Sequence, residues 1–220
     1  MTRPTGRSDR RPGGHGPEPA DHVTGIVLAG GASRRFGSDK LAAHIEGRPL
    51  LRHAVDAMAL RAGSVVVAVQ PGKLPGLGGP PPTIPVRFVE DPVAEGGPLV
   101  GLASALEATT TESALVIGGD MPSVPASVLD LLLDRLGTGA EAAILVDEGA
   151  PRPLPMAVRV AGARSAARLV LAEGRRSLLA MLDQIRVEAI PEAAWRSVDP
   201  AGDALLDVDR PADLDAGRPA

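Results

Sequence analysis

The sequence predicts one α/β domain of Rossmann-like type, a mostly parallel sheet with helices on both faces. Three observations carry this. Short aliphatic runs recur at 23–29, 64–69, 86–89, 114–117 and 142–146. Most of these runs are unbroken rather than alternating, which is the pattern of strands buried on both faces. Segments with apolar residues at helical spacing lie between them, and such alternation closes right-handed βαβ units. With 220 residues, 44% of them hydrophobic, the chain can build one substantial core. That core must be aliphatic, because Phe36, Phe88 and Trp195 are the whole aromatic complement.

Residues 1–22 mix Arg, Gly, Pro and Asp without apolar periodicity. They read as a disordered tail, leaving 23–220 as the domain. The first strand, Val23 to Ala29, ends at the Gly30-Gly31 pair, and a loop runs on to about Gly47. Leu50, Leu51, Ala54, Val55, Met58 and Ala59 fall on one helical face, so 49–61 is a helix with Pro49 in its first turn. Ser64–Val69 is the second strand, and the Pro- and Gly-rich stretch from Gln70 to Pro85 is a long surface loop. Strands at 86–89, 114–117 and 142–146 follow, with helices at 99–108 and 125–136 between them. Met156–Val160 is a further candidate strand. Helices at 162–173 and 176–184, a last apolar stretch at 187–190 and a short helix near 211–216 complete the chain.

Ligands of such sheets sit beyond the carboxyl ends of the strands. The polar clusters fall there, at 30–40, 90–98 and 118–122. Composition narrows the chemistry further. A net charge of −4 and the scarcity of aromatic residues argue against nucleic-acid binding. The absence of cysteine excludes disulfides and thiolate metal sites. No apolar stretch approaches the roughly 18 residues of a membrane span, and the polar N-terminus lacks the apolar core of a secretory signal, so cytoplasmic residence is expected. Lys40 and Lys73 are the two lysines in a chain whose other basic residues are arginine. A lysine kept against that background points at Lys40 as a position where a compact ammonium is needed.

The segment Leu28-Ala29-Gly30-Gly31-Ala32-Ser33-Arg34-Arg35-Phe36-Gly37-Ser38-Asp39-Lys40 is the most informative. Paired glycines let a backbone approach a phosphate or base closely, and the cations that follow suit a polyphosphate. A glycine-rich turn with solvated arginines fits the same letters. The spacing matches neither a Walker loop nor the dinucleotide fingerprint.

Placed directly after the first strand, this segment resembles the signature of the molybdenum cofactor guanylyltransferases and their nucleotidyltransferase relatives. Gly47-Arg48-Pro49-Leu50-Leu51 is similar to the family's next segment. Three further stretches resemble it in order: Glu90-Asp91-Pro92 with Gly97-Pro98-Leu99-Val100-Gly101-Leu102, then Gly119-Asp120-Met121-Pro122, then Asp207-Val208-Asp209-Arg210-Pro211. The resemblance thus runs from about 23 to 215. The double glycine, with Gly-Pro-Leu-x-Gly, favours the guanylyltransferase branch over sugar-phosphate and isoprenoid cytidylyltransferases.

The resemblance implies a transfer of GMP from GTP to the phosphate of a molybdopterin-type acceptor, with Mg²⁺ as cofactor and pyrophosphate released. It also implies molybdoenzyme-maturation proteins as partners. Leu28, Ala29, Gly30 and Gly31 would lie against the nucleotide, Arg35 and Lys40 would hold its phosphates, Asp91 would stand near base or ribose, and Asp120 would bind the metal. Asp207 and Asp209 replace two asparagines of the family pattern, in a segment the family places near the acceptor.

Read without the resemblance, Asp120 and Asp91 each have two meanings. Either is a carboxylate at a strand's carboxyl end, where Mg²⁺ or a nucleotide could use it, or a turn residue before proline. Glu95 and Asp147 stand in polar loops and read as solvated. His15, His22, His44 and His53 have no second ligand at useful spacing for zinc, and Ser33, Ser38 and Ser123 lack a His-Asp relay. Gly174-Arg175-Arg176-Ser177 is either a solvated turn or an anion site at the start of the following helix.

Overall fold

The computed structural model describes residues 20–30, 41, 43–94, 96–137 and 139–208. Nine strands are described there: β1 (Ala20–Leu28), β2 (His44–Ile45), β3 (Arg48–Pro49), β4 (Ala62–Val69), β5 (Val86–Glu90), β6 (Ser113–Gly118), β7 (Ala142–Asp147), β8 (Ala150–Arg159) and β9 (Val187–Ile190). The helices are α1 (Leu50–Ala59), α2 (Pro98–Ala108), α3 (Ala126–Arg135), α4 (Val160–Ala172), α5 (Leu178–Leu182) and α6 (Glu192–Arg196).

Seven strands form one sheet in the order β5-β4-β1-β6-β8-β7-β9, and β2 and β3 form a small separate hairpin. The pairs β5–β4, β4–β1, β1–β6 and β7–β9 are parallel, whereas β8 runs antiparallel to both its neighbours. The expected mostly parallel sheet is therefore present, with one reversed strand. From β1 the chain first builds outward through β4 and β5 and then returns to lay β6 on β1's other side. The carboxyl ends of β1 and β6 thus flank the switch point, where sheets of this kind open a crevice.

Each face of the sheet carries its own aliphatic core. Val27, Val67, Leu115 and Ile117 pack with α1 and α3 and with the fully buried Trp195 of α6. Ile26, Val66, Val116 and Met156 pack with α2, α4 and α5 on the other face. Strand residues therefore divide between the two cores along each strand, which is why the strand runs are apolar throughout.

The structure differs from the sequence-based expectation at several places. β1 begins at Ala20, so three residues assigned to the tail belong to the sheet. Asp21 and His22 are exposed, which removes the apolar signal that would have marked them. The hairpin 44–49 stands where a loop to about Gly47 and the first turn of a helix, at Pro49, were expected. β8 starts six residues earlier than expected, because Pro151, Pro153 and Pro155 disguise a strand that bulges. Its register with β7 passes from Leu145↔Arg152 to Ile144↔Met156, and residues 153–155 form the bulge. The loop 70–85 has no regular structure but is pinned: the buried Arg52 donates to Gly78 O at 2.9 Å and Pro80 O at 2.6 Å, while its Nε donates to Asp56 Oδ1 at 2.8 Å. The expected helix at 211–216 lies outside the described residues.

Candidate active site

β1 ends at the switch point between two backbone clasps. Ala29 N donates to Ala68 O at 2.8 Å on one side, and Gly119 N donates to Leu28 O at 2.9 Å on the other. Leu28, Ala29 and Gly30 are thereby fixed between β4 and β6. The turn after β6 needs its glycine, since a Cβ on Gly119 would lie 3.1 Å from Leu41 Cδ2 and 3.3 Å from Leu28 O. That close approach brings Asp120, the next residue, alongside the end of β1. Gly31, Arg35 and Lys40 lie outside the described residues.

Behind the glycine turn stands Asp91. Its amide donates to Val69 O at 2.8 Å, which continues the β4–β5 ladder and fixes the residue at the strand's end. The side chain is 5% exposed. It is enclosed by two glycines: a Cβ on Gly30 would meet Asp91 Oδ2 at 2.9 Å, and one on Gly101 would meet both carboxylate oxygens at 3.5 Å. Gly30 is held from the other direction by the buried Gln70, whose Nε2 donates to Gly30 O at 2.8 Å. Asp91 Oδ1 has no hydrogen-bond partner among the described residues. Burial pushes the acid up from an ordinary 3.8 to about 6, opposed in part by a hydrogen bond from Ser104. That opposition is limited, because the Ser104 hydroxyl has one proton and also faces Val100 O at 3.1 Å.

The other half of the site gathers around Asp120. A cleft of about 260 Å³ is lined by Asp120, Arg152, Leu154, Leu205 and Asp207, among others. Asp207 arrives from the far end of the chain, and the arrival is built by hydrogen bonds. Asp199, 3% exposed, accepts from Gly202 N and Asp203 N at 3.1 Å each and from Ala204 N at 2.9 Å. The turn so folded carries the 3-10 segment Asp203–Leu205, and Val208 N then donates to Asp120 O at 3.0 Å. Two carboxylates expected from sequence, Asp120 and Asp207, therefore line the same cleft. Asp209 lies outside the described residues.

Asp147 requires a correction. Read from sequence as solvated, it is 7% exposed and sits between two guanidiniums, with Arg152 Nη2 at 3.0 Å and Arg196 Nη2 at 3.4 Å. Arg196 stacks 4.3 Å from the centroid of Trp195, whose Nε1 donates to Val146 O at 2.8 Å. Arg152, Arg196, Asp199 and Gln70 are site or supporting residues that the sequence reading passed over. Arg176 stays exposed and lines a second cleft, of about 490 Å³, with Gly96, Gly97, Pro153 and Ser177. The helix after it is the five-residue α5. His53 turns inward, with Nε2 2.9 Å from Ile45 O. Among the described residues, no group of three or more His, Asp or Glu could hold a metal ion. None of the described helices is long and apolar enough to cross a membrane.

Gly30 and a carboxylate thus stand on adjoining strand ends at the switch point of a mostly parallel sheet, where sheets of this kind place their ligands. The comparisons specify the class of protein. The model of the MobA-like NTP transferase domain matches residues 25–187. The chain is 32% identical over 200 residues to a "probable molybdenum cofactor guanylyltransferase" of Chloroflexus aggregans, covering 87% of this chain and 91% of that one. A protein of the same name from Mycobacterium avium is 32% identical over 201 residues, covering 88% and 94%. Among solved structures, molybdopterin-guanine dinucleotide biosynthesis protein A of Archaeoglobus fulgidus superposes with a TM-score of 0.70 at 22% identity, over 88% of this chain and 95% of that one. The 2-C-methyl-D-erythritol 4-phosphate cytidylyltransferase of Thermus thermophilus does so with a TM-score of 0.62 at 18% identity, over 87% and 95%. These two likenesses are of fold alone. The chain belongs to the MobA-like NTP transferase family and is a nucleotidyltransferase of the molybdenum cofactor guanylyltransferase type.

Proposed function

We propose that this enzyme transfers GMP from GTP to the phosphate of a molybdopterin-type acceptor in the cytoplasm, with Mg²⁺ bound and pyrophosphate leaving. The observation that carries the proposal is the shared cleft of Asp120 and Asp207 beside the end of β1. Mg²⁺ is a hard cation that takes one or two carboxylates and completes its shell with water and substrate phosphate oxygens. Two carboxylates on one cleft fit that demand. Bound there, the ion would supply charge neutralisation on the reacting phosphoryl group.

The remaining work falls to the chain. Leu28, Ala29 and Gly30 offer a backbone surface to the nucleotide, and Gln70 and Asp91 brace Gly30 from behind. Asp91 Oδ1 gives a buried acceptor for a donor on base or ribose. Arg35 and Lys40, assigned from sequence, would offset charge growing on the departing pyrophosphate. Arg176 and its cleft lie on the acceptor side. The acceptor phosphate oxygen is already anionic, so its attack in line on the α-phosphorus needs positioning rather than a covalent enzyme intermediate.

The test is pyrophosphate release with the phosphorylated pterin, GTP and Mg²⁺, alongside thermal shifts with GTP, CTP and ATP. GTP should outbind CTP by about 10-fold or more if a few base-edge hydrogen bonds read the base. Asp120→Ala, with its fold checked by circular dichroism, should lower turnover by about 10³-fold. Preference for CTP would make this a cytidylyltransferase for the same cofactor, and nucleotide binding without pyrophosphate release would make it a regulator. A folded Asp120→Ala retaining a tenth of the turnover would move the metal away from Asp120.

A further inference from the structure

Arg152 is unexplained by the nucleotide half of the site. It opens β8, the reversed strand, and reversal is what brings it there: the start of an antiparallel strand lies at the carboxyl ends of its parallel neighbours. It lines the same cleft as Asp120 and Asp207. One corner of the fork is anchored, Nη2 to Asp147 Oδ2 at 3.0 Å. The anchor is itself rigid, since Asp147 is buried and its other oxygen is 3.4 Å from Arg196 Nη2, with Arg196 lying over Trp195. Nε and Nη1 of Arg152 make no hydrogen bond among the described residues, and the side chain is about half exposed, at 48%.

Charge gives the arrangement a direction. Arg196 pairs also with Glu192, Nε to Oε1 at 3.5 Å, so that guanidinium is balanced within its own helix and the cation on the cleft side of Asp147 is Arg152. That cation shares its cleft with two carboxylates. A dianionic phosphate entering beside Asp120, Asp207 and the Mg²⁺ proposed there meets a second cation in Arg152, which lines the same cleft. Nη2 carries two protons and Asp147 takes one, so the guanidinium edge turned away from Asp147 keeps two parallel donors, one on Nη2 and one on its neighbouring nitrogen, and such an edge suits a bidentate grip on an oxyanion. Immediately after Arg152, the bulge at 153–155 divides this cleft from the larger one lined by Gly97 and Arg176, with Pro153 on both. An acceptor with its phosphate in the smaller cleft therefore has space for its body across the bulge.

We propose that Arg152, oriented by Asp147, grips the phosphomonoester of the acceptor and sets its attacking oxygen beside Asp120. This rests on the transfer reaction proposed above and adds the residue that selects a phosphorylated acceptor. The experiment compares wild type, Arg152→Gln and Arg152→Lys, using phosphorylated and dephosphorylated pterin as probes. With Mg²⁺ and saturating GTP, Arg152→Gln should raise the KM for the phosphorylated pterin by about 10- to 30-fold, the range for losing a charge-assisted contact. GTP affinity by thermal shift should stay within about 2-fold of wild type, since the residue faces the acceptor side. Arg152→Lys should recover part of the loss. In equilibrium binding, wild type should prefer the phosphorylated pterin and Arg152→Gln should lose that preference. An unchanged acceptor KM in Arg152→Gln, an equal loss of both pterins, or a matching loss of GTP affinity each overturns the assignment. Failure of the wild-type enzyme to transfer GMP to the pterin overturns instead the reaction on which it rests.

Discussion

Asp199 and Asp91 are carboxylates of similar burial, 3% and 5% exposed, at opposite flanks of one site. Around Asp199 the chain supplies three amides, each within 3.1 Å of a carboxylate oxygen, all from the five residues that follow it. Around Asp91 it supplies two glycines and one shared hydroxyl, and leaves Oδ1 without a partner among the described residues. The first carboxylate organises backbone. The second is held by backbone that already has its own partners, and its charge is opposed by its surroundings. Burial alone therefore does not tell an acid that organises its own backbone from one left with an unused acceptor; the count of donors does.

The contrast breaks most visibly at Asp199. Asp199→Ala orphans three amides that a charged acceptor had satisfied, and should cost about 3 kcal/mol in urea unfolding. Its effect on turnover should exceed what the unfolded fraction explains, because the turn that delivers Asp207 goes with it. A loss below about 0.5 kcal/mol would mean that water replaces the carboxylate without penalty.

At Asp91 the sign reverses. Its acid is raised to about 6 in the folded domain against 3.8 ordinarily, so the folded state binds the proton more tightly than the unfolded chain. The stability this proton confers is complete below about pH 4 and is lost as pH rises through 6, by about 3 kcal/mol in all. Asp91→Asn should flatten that decline and leave the protein about 2 kcal/mol more stable than wild type above pH 7, while weakening its hold on nucleotide. Parallel pH profiles of stability for the two proteins would show that Asp91 ionises freely where it sits.

The smallest effect sharpens the comparison from the side of the helix. Gly101 lies within α2, and a Cβ there would stand at ordinary contact, 3.4 Å from Ala68 Cβ and 3.5 Å from the Asp91 oxygens. Gly101→Ala should therefore gain about 0.5–1 kcal/mol of helix propensity in thermal unfolding. It should also close further on Asp91, carrying the acid higher still. A destabilised variant would show that the contact is tighter than it measures.

Much of this was legible in the sequence where the information is local. The run Val23 to Leu28 announces a buried strand, and Asp120 follows directly on a similar run, so both strand ends could be placed before the sheet was known. Direction was not legible, because an apolar strand reads alike either way along the sheet. A signal existed nonetheless: two residues, Glu148 and Gly149, join β7 to β8, both with positive φ of 51° and 76°, and so short a join permits only a hairpin. Asp147 looked solvated because its second partner, Arg196, is 49 positions away. Asp199 gave no signal because its partners are amides, which every residue possesses.

The position of Trp195 makes the protein its own spectroscopic instrument. The chain has one tryptophan and no tyrosine, so its near-ultraviolet emission arises almost wholly from one indole. That indole is fully buried, tethered to Val146 and overlaid by Arg196, one step from Asp147 and two from Arg152. A quencher in bulk solvent should scarcely touch it. A change in how Arg196 lies over the ring should register at once in the colour and yield of the light. Intrinsic fluorescence of this enzyme therefore observes the Asp147 side of the cleft, and a ligand that disturbs the Arg152–Asp147–Arg196 chain should be seen without attaching any dye.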